Sequence, residues 1–251
     1  MPTAFPFQVP SRIPLKITPC PILEAVMEVR FVPSRPWEHF PGLFAQKFGS
    51  MYPREENTGF DQIPQGFRDA DPLFAHQPYR RQIGEHFSLQ AGPRMFGLVT
   101  KRHSYPGWNA FWAAMAEVLE GVQTMGIVSE VVRLGLRYTN VFDFDIFTQL
   151  TLGLHACGGP LQNSQTGIST VFVQGQFSHL LQINNAAMVV GADNKLQQGS
   201  ILDIDTSLNV TMPDFFPQAE VLFRQAHEAE KRLFFGLLKS EYVVNNLNPE
   251  Y

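Results

Sequence analysis

Between residues 22 and 141 two helix-like periods interrupt stretches of alternation, and the order of those interruptions leaves few topologies open. Ile22–Phe31 sets Leu23, Ala25, Met27, Val29 and Phe31 on one side and mostly Glu24, Glu28 and Arg30 on the other, the pattern of a half-buried strand. Pro41 opens a helix over Leu43, Phe44 and Phe48, and Gly49 ends it. Tyr79–Gln90 and Arg94–His103 flank Ala91-Gly92-Pro93 as the arms of a hairpin, with Arg81, Ile83, Glu85, Phe87 and Leu89 sharing a face of the first arm. After Pro106-Gly107, residues Trp108, Phe111, Trp112, Met115, Leu119, Val122 and Met125 make one apolar helical stripe, stopped by Gly126. Val128–Val141 reads as a strand. Strand, helix, strand, strand, helix, strand is the order of a ferredoxin-like unit.

The flanking chain is simpler. Prolines at 2, 6, 10, 14, 19 and 21 make residues 1–21 an extended arm, either loose or laid across a surface. Residues 52–78, rich in Pro, Gly, Asp and Asn, read as a long loop. Phe142–Cys157 suggests a short helix with a turn, followed by strands over Ile168–Gly175, Leu180–Val190 and Ile201–Val210. Asp214 is placed to cap a final helix running to Val244, whose stripe is Ala219, Leu222, Phe223, Ala226, Leu233, Phe234 and Leu237. The expected fold is α+β: an arm over 1–21, a ferredoxin-like half over 22–141, and an antiparallel sheet with a long C-terminal helix over 142–251. The three parts are expected to form one compact unit.

Composition excludes several classes. Charged residues are 17% against about 25% in an ordinary domain, while Phe alone numbers 22. Such a chain is not disordered, and 19 Pro with 19 Gly along its length do not suit a coiled coil. Two Cys do not make a disulfide scaffold. The longest apolar stretches, Ala186–Val190 and Leu233–Leu238, fall far short of the roughly 18 residues that span a bilayer. With no signal-peptide core near the start, the expected location is the cytoplasm. The net charge of −4 hides an asymmetry: residues 1–140 carry 14 Lys/Arg against 12 Asp/Glu, residues 141–251 carry 5 against 11. Eleven of the 13 Arg lie in the first half, which makes it the better place for an anionic partner.

No short catalytic motif stands out. The seven His show no metal-ligand spacing with one another, and His155-x-Cys157 is half of a zinc site without its other half. No cofactor is expected. Asp203 and Asp205 are two apart on a strand and point the same way, continued by Ser207 and Asn209. Paired carboxylates can hold Mg²⁺, but a sheet with one wet face accounts for the whole row. Arg80, Arg81 and Arg94 mix with Tyr79, Lys101, Arg102, His103 and Tyr105 along the hairpin, as in single-strand binders. Arg133 and Arg137 share a strand face; an Arg on a buried face needs a partner, for which Glu24, Glu28, Glu130 or a ligand anion are available. Arg80, Arg81, Arg94 and Arg137 are therefore the candidate anion or nucleic-acid contacts. Phe5, Phe7, Phe60, Phe67 and Phe74 lie in Pro/Gly-rich segments outside any expected core and are the candidate partner interface.

Several phrases in order carry a family resemblance: Pro19-x-Pro21-Ile22-x-Glu24-Ala25 into Glu28-Val29-Arg30-Phe31, Tyr105-Pro106-Gly107-Trp108-x-x-Phe111, Leu134-Gly135-Leu136-Arg137-Tyr138-x-Asn140, Leu202-Asp203-Ile204-Asp205, and Ala226-His227 before Leu233-Phe234. From about residue 17 to 243 the chain resembles a sporadically distributed bacterial family of full-length proteins with no agreed activity. Cys20 departs from it where a second proline is expected. The resemblance implies a prokaryotic source, and patchy distribution is typical of mobile elements, defence loci and toxin partners. The leading expectation is a non-enzymatic protein that assembles with another protein or with itself as a homodimer, in a defence or toxin-neutralising system. An RNA-binding or RNA-cleaving ferredoxin-like protein is the alternative, and a metal-dependent enzyme at Asp203 and Asp205 the third.

Overall fold

The computed structural model describes residues 3–4, 6–71, 74–156, 158–160, 165–190 and 196–251. Within them lie nine strands longer than two residues: β1 Ile22–Pro33, β2 Arg54–Asn57, β3 Arg80–Ile83, β4 Phe87–Gly92, β5 Met95–Thr100, β6 Val128–Phe142, β7 Gly167–Gln174, β8 Phe177–Val190 and β9 Leu196–Leu208. Five helices accompany them: α1 Phe40–Phe48, α2 Gln65–Ala70, α3 Trp108–Met125, α4 Ala219–Leu237 and α5 Ser240–Asn246. This is a mixed α/β chain with predominantly antiparallel strands. No helix among the described residues is long and apolar enough to cross a membrane. The chain divides into two compact units, one of residues 24–136 with 208–223, the other of residues 1–23, 137–207 and 224–251.

In the 24–136 unit the strand order is β6, β1, β5, β4, β3, β2. Alternation in β1 does what its sequence dictates: Ala25, Met27, Val29 and Phe31 are buried under the helices. Phe31 stacks on Phe40 at 6.2 Å and meets Phe96 of β5 at 5.9 Å. α3 buries Phe111, Met115, Val118, Leu119, Gly121 and Val122, and Gly126 ends it in the left-handed region at φ 61°. The Phe87 and Phe111 rings stack at 6.0 Å.

Three expectations for this unit need correction. Residues 52–78 are not one loop: β2, a 3-10 turn at Phe60–Gln62 and α2 lie within them. Tyr79–Gln90 is not one strand, because Gly84–His86 turn the chain between β3 and β4, so the buried row becomes Gln82, Leu89 and Ala91. All six residues of β5 are buried, so both faces of this strand are covered. The hairpin between β4 and β5 stands as expected, with Gly92 opposite Met95. Asp214 does not cap a helix with its side chain; a 3-10 turn at Phe216–Gln218 comes first, and the Asp214 carbonyl accepts from Gln218 Nε2 at 3.0 Å.

In the 137–207 unit β7 pairs with β8 and β8 with β9, both antiparallel. The core joins Leu181, Ile183, Leu202 and Ile204 of the sheet to Leu233, Phe234 and Leu237 of α4 and to Tyr242 and Val243 of α5. The single long helix expected to reach Val244 is two. Its backbone is captured at the break: Thr151 N donates to Leu237 O at 2.7 Å and Lys239 N to Gln149 O at 2.8 Å. Within 142–156 the short helix is of the 3-10 kind, Ile146–Gln149. The N-terminal arm lies on this unit's core through Phe7, Ile13 and Ile17, and Leu15 N donates to Glu250 O at 2.7 Å.

Candidate anion site

Directly opposite residues of an antiparallel ladder point to the same side, so register sorts the arginines. One cross-strand row reads Val29, Phe96, Ala91, Arg80, Asn57 and belongs to the helix-covered face. The next reads Glu28, Gly97, Gln90, Arg81, Glu56 and belongs to the other face. Arg80 and Arg81 are thus on opposite sides of the sheet. Arg80 Nη1 donates to Glu55 Oε1 at 3.2 Å and also to Asn57 Oδ1. The Nε of Arg81 is buried without a hydrogen-bond partner.

The face away from the helices holds the densest charge. Glu28 Oε1 accepts from Arg30 Nε and from Arg133 Nη1, each at 2.6 Å. Of the partners open to Arg133, Glu28 is the one it pairs with. Arg94, exposed at the hairpin turn, sits beside them in the ladder, since its carbonyl accepts from Phe31 N at 3.0 Å. His76 feels all four groups: burial first, then Arg30, Arg94 and Arg133, push its pKa down, and Glu28 opposes them. A neutral imidazole among three guanidinium groups and one carboxylate is a setting that attracts an anion. Sequence spacing gave no sign of Arg30 or His76 as members of this group.

Arg137 belongs to the other unit. It grips Asp203 in a side-on pair, Nε lying 2.8 and 2.9 Å from the two carboxylate oxygens, and Thr139 adds a hydroxyl at 3.1 Å. Asp203 and Asp205 do share a face, but Asp203 is already occupied as an acceptor by its own chain. No group of three or more His, Cys, Asp or Glu suited to a metal occurs among the described residues. Cys157 of the half zinc motif lies outside the described residues.

Beneath α4 the same unit buries a second set of titratable groups. His179 Nδ1 lies 2.8 Å from Thr206 Oγ1, and His227 Nδ1 lies 3.1 Å from the Tyr138 hydroxyl. Burial lowers the pKa of His179 to about 4 and, with Lys231 and Arg224 nearby, that of His227 to about 3. Burial raises Glu230 to about 8.

The five candidate interface rings separate. Phe5 lies outside the described residues. Phe7 is half-buried, packed on its own unit's core and edge-on to Phe172 at 5.3 Å. Phe60 and Phe74 face each other at 6.3 Å. Phe67, on α2, is 69% exposed. No family model matches this chain, and no curated protein does either.

Proposed function

We propose that this chain is a binding protein rather than an enzyme, and that it takes a phosphate-bearing ligand, single-stranded RNA in the first instance. The observation that carries this reading is the convergence of Arg30, Arg94 and Arg133 with Glu28 around His76. The order β6, β1, β5, β4, with α1 and α3 as the connecting helices, supports a ferredoxin-like unit, and the accessible rim of its face away from these helices, at Arg30 and Arg94, is the binding platform. That face takes no aromatic ring from β1, β4 or β5, so contact is with phosphates and tolerant of sequence. Arg81, in the same row as Glu28, extends the platform.

The test is fluorescence anisotropy of a labelled RNA oligonucleotide across a salt series. Three phosphate contacts give a slope of log K against log salt of about −2. Arg94→Ala, at an exposed side chain, is expected to weaken binding at least about tenfold, one lost charge-assisted contact. No binding at low salt sinks the proposal.

A second reading rests on Phe67. An exposed ring on α2 supports docking of another protein, in line with the defence or toxin-neutralising expectation. A partner recovered with the wild-type chain from its host, and lost with Phe67→Ser, supports it; unchanged recovery counts against it.

A further inference from the structure

Exposure in the cluster around Glu28 rises towards the β4–β5 turn. The Arg133 side chain is 10% exposed, Glu28 22% and Arg30 35%, and Arg94 at the turn is exposed. Behind this rim the face is closed. Arg30, Met95 and Gly92 make one cross-strand row, and the chain crosses it: the Gln77 carbonyl lies against Gly92, in the space that a Cβ would fill. His76, next to Gln77, is carried to the same row. Met95, Gly92 and Gly97 are buried, so a polynucleotide cannot lie along β5 and must meet the arginines from the rim.

The donors also converge instead of following a track. Arg30 Nε and Arg133 Nη1 reach one oxygen, Glu28 Oε1, and Arg94 is tied to the same strand through Phe31 N. Three guanidinium groups against one carboxylate leave a net positive charge of two at this point. An internal phosphodiester brings one negative charge to it, whereas a terminal phosphate monoester brings about −1.5 to −2 at pH 7 and three acceptor oxygens.

On the phosphate-binding reading of this site, we propose that the cluster takes the terminal phosphate monoester of a single-stranded RNA, entering end-on past Arg30 and Arg94, in preference to an internal phosphodiester. Arg30 and Arg94 contact the phosphate oxygens. Arg133, held behind them by Glu28, adds charge to the site from a covered position.

The experiment sets three unlabelled RNAs of one sequence, carrying a 5′-phosphate, a 3′-phosphate or hydroxyls at both ends, to compete with a labelled RNA for the full chain. A terminal phosphate is expected to strengthen binding at least about tenfold, one added charge-assisted contact, and the responsive end gives the polarity of the bound strand. Arg94→Ala, at an exposed side chain, and Arg30→Gln should each remove most of that gain. Equal affinity for all three RNAs overturns the preference and leaves the phosphate-binding reading standing, whereas no binding by any of them overturns both. A gain that persists in both variants places the terminal phosphate elsewhere and overturns the proposal. Inorganic phosphate that competes at the same concentration as the phosphorylated RNA makes the ligand a free phosphate, which overturns the RNA end.

Discussion

Arg133 folds its guanidinium back over Gly135, into the space that a Cβ at that position would fill. The two lie two apart on one strand, on the same side, and the glycine gives the side chain the room to reach Glu28. Gly135→Ala is therefore expected to displace Arg133 and break a largely buried ion pair, at a cost of about 3 kcal/mol. Glu28→Gln leaves both arginines without their carboxylate and should fall in the same range. Urea denaturation of the two variants checks both values, and a loss below about 1 kcal/mol for Gly135→Ala would mean that Arg133 has another resting place.

Stability should respond to pH in two windows of opposite sign. His179 and His227 have folded pKa values of about 4 and about 3, below the usual histidine range, so the unfolded chain takes up protons first. Their contribution is present above pH of about 6.5 and is lost as the pH falls towards those folded values. Glu230 is the reverse. Its folded pKa of about 8 means that the folded chain keeps a proton the unfolded chain has released. Its contribution is therefore lost from pH of about 4.5 up to about 8, and above about 6.5, where the histidines have ceased to titrate, the remaining drop of about 2 kcal/mol stands alone. Glu230→Gln should abolish that drop and raise the melting temperature at pH 8, as calorimetry across the range would show.

Asp203 is engaged by Arg137 and Thr139, so it has little left to offer a cation. Asp203→Ala is expected to cost about 2 kcal/mol, since the aspartate is buried while Arg137 remains half in water. Millimolar Mg²⁺ or Mn²⁺ should leave the wild-type melting temperature where it is. A clear rise would revive a metal role for the Asp203–Asp205 row.

Gly121 on α3 lies against the ring of Phe48 on α1, and a Cβ there would overlap the ring. Helix propensity alone favours Gly121→Ala by about 1 kcal/mol. Overpacking at this contact should outweigh the gain and leave the variant about 1–2 kcal/mol less stable, read as a lower denaturation midpoint.

Long periodic elements were legible in the chain and short ones were not. α3 has eighteen residues, one apolar stripe and a left-handed Gly126 to end it. β2 has four residues, all exposed, and no apolar alternation by which to find it. The break between α4 and α5 was hidden for another reason: Leu237, Leu238, Tyr242 and Val243 keep a helical rhythm through it, which outweighs the single signal of Gly236 at the end of α4. What breaks the helix is the backbone of Gln149 and Thr151, which local sequence does not announce. The site divides along the same line. Glu28 was one of three glutamates open to Arg133 across 105 positions, whereas Asp203 was not among the partners considered for Arg137. Arg80 and Arg81 are adjacent in the chain and so alternate across β3, which the expected strand already implied and the register bears out.

The division of the chain into interleaved segments bears on how the protein is made. Residues 24–136 lack part of their unit until residues 208–223, with Phe215 and Phe223, have been synthesised. The other unit waits for residues 224–251, which bring α5 and Glu250, the residue that accepts from the N-terminal arm. Until then the nascent chain carries strands and apolar helix faces without their final cover. Translation rate and chaperone supply, more than the finished protein's stability, should set how much of it reaches the folded state.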